Sequence, residues 1–142
     1  MEFLTKSSDE TIALGKKVGA KLKPGDIVGF YGELGSGKTT MIKGIAMGLG
    51  VKEENLVKSP SFVMILEYKG RHPIYHIDLY RIKDAGELLT IGLDDYLYGN
   101  GVCLIEWAEK AKGYLPENII KIELEAISLE ERKIKIKGLS EI

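Results

Sequence analysis

Between Gly25 and Gly50 a short apolar run, a glycine-rich octet and an amphipathic segment follow one another without a gap. The octet, Gly32-Glu33-Leu34-Gly35-Ser36-Gly37-Lys38-Thr39, has the spacing of a phosphate-binding loop. Ahead of it, Ile27 to Tyr31 reads as a buried strand. Behind it, Met41, Ile42, Ile45, Ala46 and Leu49 recur at helical spacing and stop at Gly50. Strand, loop and helix are the context in which such an octet carries chemistry. Glycines at 32, 35 and 37 let the backbone turn its N–H groups onto phosphate oxygens, and the helix N-terminus points partial positive charge at the same anion. Gly35, Ser36 and Gly37 then form the cradle. Lys38 supplies a point charge for the β- and γ-phosphates, Thr39 a hard oxygen for Mg²⁺, and Thr40 a hydroxyl for the α-phosphate. The segment predicts a nucleoside triphosphate site.

The remaining composition narrows the class. A chain of 142 residues buries roughly 70% of its unfolded surface as one domain, so residues 1–142 are read as a single unit. A net charge of −1 gives no electrostatic footprint for nucleic acid as a primary ligand. The single Cys103 lies in an apolar run and forms neither an internal disulfide nor a zinc site, which fits a reducing cytoplasm. The N-terminus lacks the apolar core of a secretory signal. No apolar run approaches the ~20 residues that span a bilayer. A cytoplasmic protein with no membrane role is expected.

Ser7 and Glu10 fit a capping box, and Ile12, Leu14, Val18 and Leu22 predict an amphipathic helix that ends at Lys23-Pro24-Gly25. Phe62–Tyr68 and Ile74–Leu79 read as a hairpin around Lys69-Gly70. Residues from Asp84 to Tyr98 predict one or two helices broken near Gly92, and Val102–Ile105 a second buried strand. Alternation over Ile119–Leu124 and Lys133–Lys137 predicts a closing antiparallel pair. The fold class expected is α/β: a three-layer fold of the P-loop NTPase type, with a mostly parallel central sheet, antiparallel additions and flanking helices.

Other side chains suit the same chemistry. A P-loop strand is commonly accompanied by a second apolar strand ending in an acid that faces Mg²⁺, and Val102-Cys103-Leu104-Ile105-Glu106 fits that pattern. His76 and Asp78 share one face of a strand whose carboxyl end belongs near the phosphates, where Asp78 can orient a water. For His76 two readings stand: a satisfied structural group or a participant in the site. Ser59-Pro60-Ser61 is either a proline turn or a switch segment whose hydroxyls sense the γ-phosphate.

Read in order, the octet with Thr40, Lys58-Ser59-Pro60-Ser61-Phe62, Tyr75-His76-Ile77-Asp78-Leu79-Tyr80-Arg81, Ile91-Gly92-Leu93-Asp94-Asp95-Tyr96 and Cys103-Leu104-Ile105-Glu106-Trp107 resemble the TsaE (YjeE) family of small bacterial ATPases. A Glu in the second acidic position is that family's habit. The resemblance implies an ATP-hydrolysing accessory protein in formation of threonylcarbamoyladenosine at tRNA position 37. It would act with the TsaD and TsaB proteins, reaching tRNA only indirectly and not transferring the group itself. It also implies Mg²⁺ bound by Thr39 and Glu106, Asp78 and Lys38 serving hydrolysis, and Trp107 close to the nucleotide or partner. Ser7 or Thr11, with Arg132, would lie near the adenine. The family commonly has Thr where this chain has Ser61, and the hydroxyl survives.

Two other classes bear on the same residues. A small-molecule kinase with Asp78 as general base usually carries an arginine-bearing lid, and this chain has only Arg71, Arg81 and Arg132. A GTPase-like switch would want a guanine-reading N-K-x-D segment, which is absent. With no evident arginine finger, slow hydrolysis alone and faster turnover with partners are expected.

Overall fold

The computed structural model describes residues 1–33, 35–53 and 65–142. In chain order they form β1 (Glu2–Thr5), α1 (Ser8–Lys21), β2 (Ile27–Tyr31), α2 (Lys38–Gly48), β3 (Ile65–Lys69), β4 (Pro73–Asp78), α3 (Ala85–Thr90), α4 (Leu93–Leu97), β5 (Val102–Glu106), a 3-10 turn (Ala108–Ala111), β6 (Ile120–Ala126) and β7 (Arg132–Lys137). Among the described residues the strands make one seven-stranded sheet in the order β1-β7-β6-β2-β5-β4-β3. The four inner strands β6, β2, β5 and β4 run parallel, and the remaining pairs are antiparallel. This is the expected α/β class. Parallel pairing explains the composition of β2 and β5, whose residues are apolar on both faces because helices cover both.

On one face α1 and α2 pack over Val28, Phe30, Ile74, Val102, Leu104, Ile120, Ile122, Leu124, Ile134 and Ile136. On the other, α3, α4 and the 3-10 turn pack over Ile27, Ile77, Cys103 and Ile105. The second layer stops short of β6 and β7, where the alternate residues Lys121, Lys133, Lys135 and Lys137 are half-buried or exposed.

Backbone proximity fixes the helix pair. A Cβ at Gly19 of α1 would sit 2.2 Å from the Ile45 carbonyl oxygen, and one at Gly44 of α2 would sit 2.4 Å from that of Ile12. Both distances lie inside van der Waals contact, so only glycine lets the helices approach this closely. Arg71, in the β3–β4 turn, then ties both helix ends together. Its guanidinium donates to the Gly48 carbonyl at 2.9 Å and the Gly19 carbonyl at 3.5 Å, and its backbone N–H to Leu49 at 2.7 Å. A cation on the last carbonyls of a helix satisfies orphan acceptors and opposes the negative dipole end.

Several expectations shift in detail. Glu2–Thr5, where the sequence predicts no element, form edge strand β1 on β7. Ser7 does cap α1, accepting from the Glu10 N–H at 3.1 Å, but the Glu10 carboxylate reaches back to the N–H of Lys6, not of Ser7. The expected break at Gly92 separates α3 from α4, with Gly92 at φ 71°. The hairpin strand expected from Phe62 is described from Ile65 onward; residues 62–64, and the segment with Ser59 and Ser61, lie outside the described residues.

Candidate functional site

The parallel strands β2, β4 and β5 deliver their carboxyl ends to one edge of the sheet. Phe30 is in register with Glu106, and Glu106 with Asp78, so the two acids stand side by side next to the strand that enters the loop. Because side chains alternate across a strand, His76, Asp78 and Glu106 all fall on the face covered by α1 and α2. The cleft at this edge has a volume of about 520 Å³ and is lined by Gly35 to Thr40, Asp78, Tyr80, Glu106, Trp107 and Arg132.

The loop side is built mainly from backbone. Gly37 caps α2 at φ 98°, a left-handed conformation, and no side chain caps the helix start. The amides of the first turn are therefore left for another acceptor, with the positive end of an eleven-residue helix behind them. Two buried polar atoms beside the loop, Ser36 Oγ and Arg132 Nε, have no hydrogen-bond partner among the described residues. A chain of phosphates offers the acceptors that these donors and amides require, so the residues fit an oligophosphate. Arg132 also donates to Gly35 O at 3.2 Å and gathers the carbonyls of Ser128 and Glu131, which joins the β6–β7 turn to the loop.

Lys38 is buried, its amine donating to Gly32 O at 2.6 Å and lying 3.7 Å from the centre of the Trp107 ring. Burial lowers its pKa, while Glu106, Glu109 and Asp78 pull it back up. Trp107 takes φ 58°, the one positive φ of a non-glycine among the described residues. For a bulky side chain that conformation costs on the order of 1 kcal/mol or more. It turns the indole over the lysine, where the ring face meets the cation. Tyr80 packs against the same ring at 5.2 Å.

On the acidic side, Glu106 is only 4% exposed, and its Oε2 lies 2.7 Å from His76 Nε2. His76 is itself buried, and its Nδ1 lies 3.1 Å from the Tyr68 hydroxyl. Burial, with the nearby Glu106 charge, raises the Tyr68 pKa, which keeps the phenol protonated. Asp78 is half-buried and accepts from the Tyr80 N–H at 2.9 Å. Desolvation raises its pKa, opposed by that hydrogen bond; Glu106 raises it further, and His76 and Lys38 oppose.

The fold thus brings Gly35, Ser36, Gly37, Lys38, Thr39, Thr40, Asp78, Glu106, Trp107 and Arg132 to one cleft, with His76 directly behind it. Ser7 and Thr11 are not among its lining residues. Ser7 is occupied as a helix cap, and the buried Thr11 hydroxyl shares a 2.7 Å hydrogen bond with Thr5. The sequence assigns Tyr80 and Tyr68 no part in the site; the β3–β4 pairing reveals Tyr68 beside His76, and the ring contact with Trp107 just past the end of β4 reveals Tyr80. Of the three arginines, Arg71 serves as a helix clamp and Arg132 lines the cleft. Among the described residues no group of three or more His, Cys, Asp and Glu is gathered to hold a metal ion by itself. Mg²⁺ requires no such group, because phosphate oxygens and water supply most of its ligands. No helix of the described residues is long and apolar enough to cross a membrane.

Comparison with known proteins gives a concordant result. A family profile described as "Threonylcarbamoyl adenosine biosynthesis protein TsaE" matches residues 5–134. The protein of that name from Bacillus subtilis is 42% identical over 135 residues, covering 94% of this chain and 83% of the relative. Its counterpart from Treponema pallidum is 38% identical over 136 residues, covering 96% and 99%. The crystal structure of Bacillus subtilis YdiB superposes with a TM-score of 0.81 at 38% identity, covering 96% of this chain and 83% of that one.

Proposed function

The chain belongs to the TsaE family, and from that premise we propose that it is a Mg²⁺-dependent ATPase serving threonylcarbamoyladenosine formation at tRNA position 37. It acts in the cytoplasm as an accessory of a TsaD–TsaB complex, meets tRNA only through that complex, and does not transfer the threonylcarbamoyl group. The supporting observation is the register that sets Glu106 and Asp78 beside the strand entering the phosphate loop.

Each residue has a part in this reading. The amides from Gly35 to Thr40, apart from the Ser36 N–H that the Glu33 carbonyl takes, and the orphaned Ser36 hydroxyl bind phosphate oxygens, and Lys38 exchanges the Gly32 carbonyl for them. Thr39 and Glu106 hold Mg²⁺, which when bound neutralises charge on the β- and γ-phosphates. Asp78, one strand over, orients the attacking water. Phosphoryl transfer needs positioning and charge neutralisation more than a reactive side chain, and the cleft supplies one lysine and one arginine. Hydrolysis by the isolated protein is therefore slow, and a partner that completes the cleft accelerates it. The test is phosphate release with and without the TsaD–TsaB pair, in wild type and Asp78→Ala. Stimulation by partners in wild type, lost in Asp78→Ala with ATP binding retained, is expected. Full activity alone and no response to partners would overturn the accessory role.

A further inference from the structure

Glu106 is a buried carboxylate at the floor of a cleft, and such a group is costly unless a donor meets it. The donor is His76, 2.7 Å from Oε2 across the β4–β5 pair. An ionised carboxylate only accepts, so Nε2 carries the proton in this contact. In a neutral ring Nδ1 is then an acceptor, and the Tyr68 hydroxyl 3.1 Å away donates to it. Donation runs from Tyr68 to His76 and from His76 to Glu106, and each of the three is at most 5% exposed. Tyr68 comes from β3, His76 from β4 and Glu106 from β5, three adjacent strands of one sheet.

We infer that His76, backed by Tyr68, is a positioning residue that holds the Glu106 carboxylate by one oxygen and presents the other to the metal of the cleft. This rests on the proposed reading of Glu106 as a Mg²⁺ ligand. Outer groups that hydrogen-bond a ligating side chain fix its orientation, and their loss typically weakens metal binding about 10- to 100-fold. Without His76 the carboxylate is free to rotate, or to turn toward Lys38, whose amine lines the same cleft. The roles of ring and carboxylate are the reverse of those at a histidine-ligated metal. Here the imidazole never touches the ion; the carboxylate sets its tautomer, and the tyrosine hydroxyl donates to the nitrogen that is left.

The test uses Trp107, the only tryptophan of the chain and a lining residue of the cleft, as the reporter. ATP binding is titrated by its fluorescence in EDTA and again across a MgCl₂ series, with calorimetry as the second readout. His76→Leu should bind metal-free ATP as wild type does and need about tenfold more Mg²⁺ to reach its enhanced affinity. His76→Gln, which can present an amide N–H near the position of Nε2, should recover most of that loss. Tyr68→Phe keeps the packing and should shift the Mg²⁺ requirement a few-fold. Glu106→Gln is the reference for loss of the ligand itself. If Glu106→Gln shifts the Mg²⁺ requirement while folded His76→Leu and Tyr68→Phe do not, the positioning role is wrong and the metal reading stands. If Glu106→Gln shifts nothing, the metal reading fails and takes the inference with it. Should His76→Leu not fold, Tyr68→Phe decides: a wild-type Mg²⁺ profile overturns the inference. A purely structural histidine would lower the Tm and leave the Mg²⁺ profiles of His76→Leu and Tyr68→Phe unchanged.

Discussion

The two walls of the cleft are made by different means. The loop wall, from Gly32 through the first turn of α2, presents backbone amides shaped by glycines, and its support is the close glycine contact between α1 and α2. The acidic wall, at the ends of β4 and β5, presents side chains: Asp78, Glu106 and, between the walls, Trp107. Its support is a chain of buried polar contacts through His76 to Tyr68. Backbone amides are fixed once the chain is folded, whereas a carboxylate needs further groups to fix its rotamer. One wall is therefore a property of a short contiguous sequence, and the other a property of strand register.

The sharpest break of the loop wall is Lys38→Ala. It removes the amine from Gly32 O and from the phosphates together, and turnover should fall by roughly 10² to 10³, as when a preorganised charge-stabilising donor is deleted. Its ATP affinity should fall as well, whereas Asp78→Ala on the other wall should lose hydrolysis and keep binding. Comparable ATP affinities in the two variants would erase the distinction. Gly19→Val tests the support of the same wall. A side chain placed 2.2 Å from a helix carbonyl must push α1 off α2, and the expected cost is about 3 kcal/mol in urea unfolding. Unchanged stability would mean that the helix contact is not what fixes α2.

How much of this is visible in the sequence follows the same division. β2, the octet and α2 are legible because their signals are local: a buried run, three glycines and a helical period. β5 is legible for the same reason, as is the β6–β7 pair by its alternation. β1 is not, because Glu2-Phe3-Leu4-Thr5 is too short to show a period, and its partner is β7 at the other end of the chain. The part His76 plays is hidden for a related reason. Its contact to Glu106 spans 30 residues and exists only because β4 and β5 pair in one register. Arg71 figures in the sequence only as one of three arginines, yet three acceptors from the helix ends claim its donors.

Smaller effects are expected where the walls meet. Trp107→Leu removes the ring face from Lys38, an interaction worth about 1 kcal/mol, so nucleotide affinity should change by less than about tenfold. Trp107→Phe, which keeps an aromatic face, should change it less. Equal losses in both variants would show that the ring face is not what matters. Away from the cleft, the Cys103 thiol is pushed up to about 12 by burial and donates to Tyr96 O at 3.1 Å. The native thiol should therefore stay protonated at pH 9 and react with iodoacetamide only as fast as the protein opens. The linkage runs toward lower stability at high pH, because above about pH 9 the unfolded thiol loses its proton and the folded one does not. Rapid labelling of folded protein at pH 8 would contradict this placement.

The most direct test of the two-walled site is hydrogen exchange read by mass spectrometry with a non-hydrolysable ATP analogue, with and without Mg²⁺. In EDTA the analogue should slow exchange in the loop, residues 32–40, and leave residues 79–83 and 107–110 as they are in the free protein. Adding Mg²⁺ should extend protection to those two segments behind Asp78 and Glu106. Protection of both walls without Mg²⁺, or of neither with it, would contradict the assignment of this cleft as a Mg²⁺–ATP site held between a backbone wall and an acidic one.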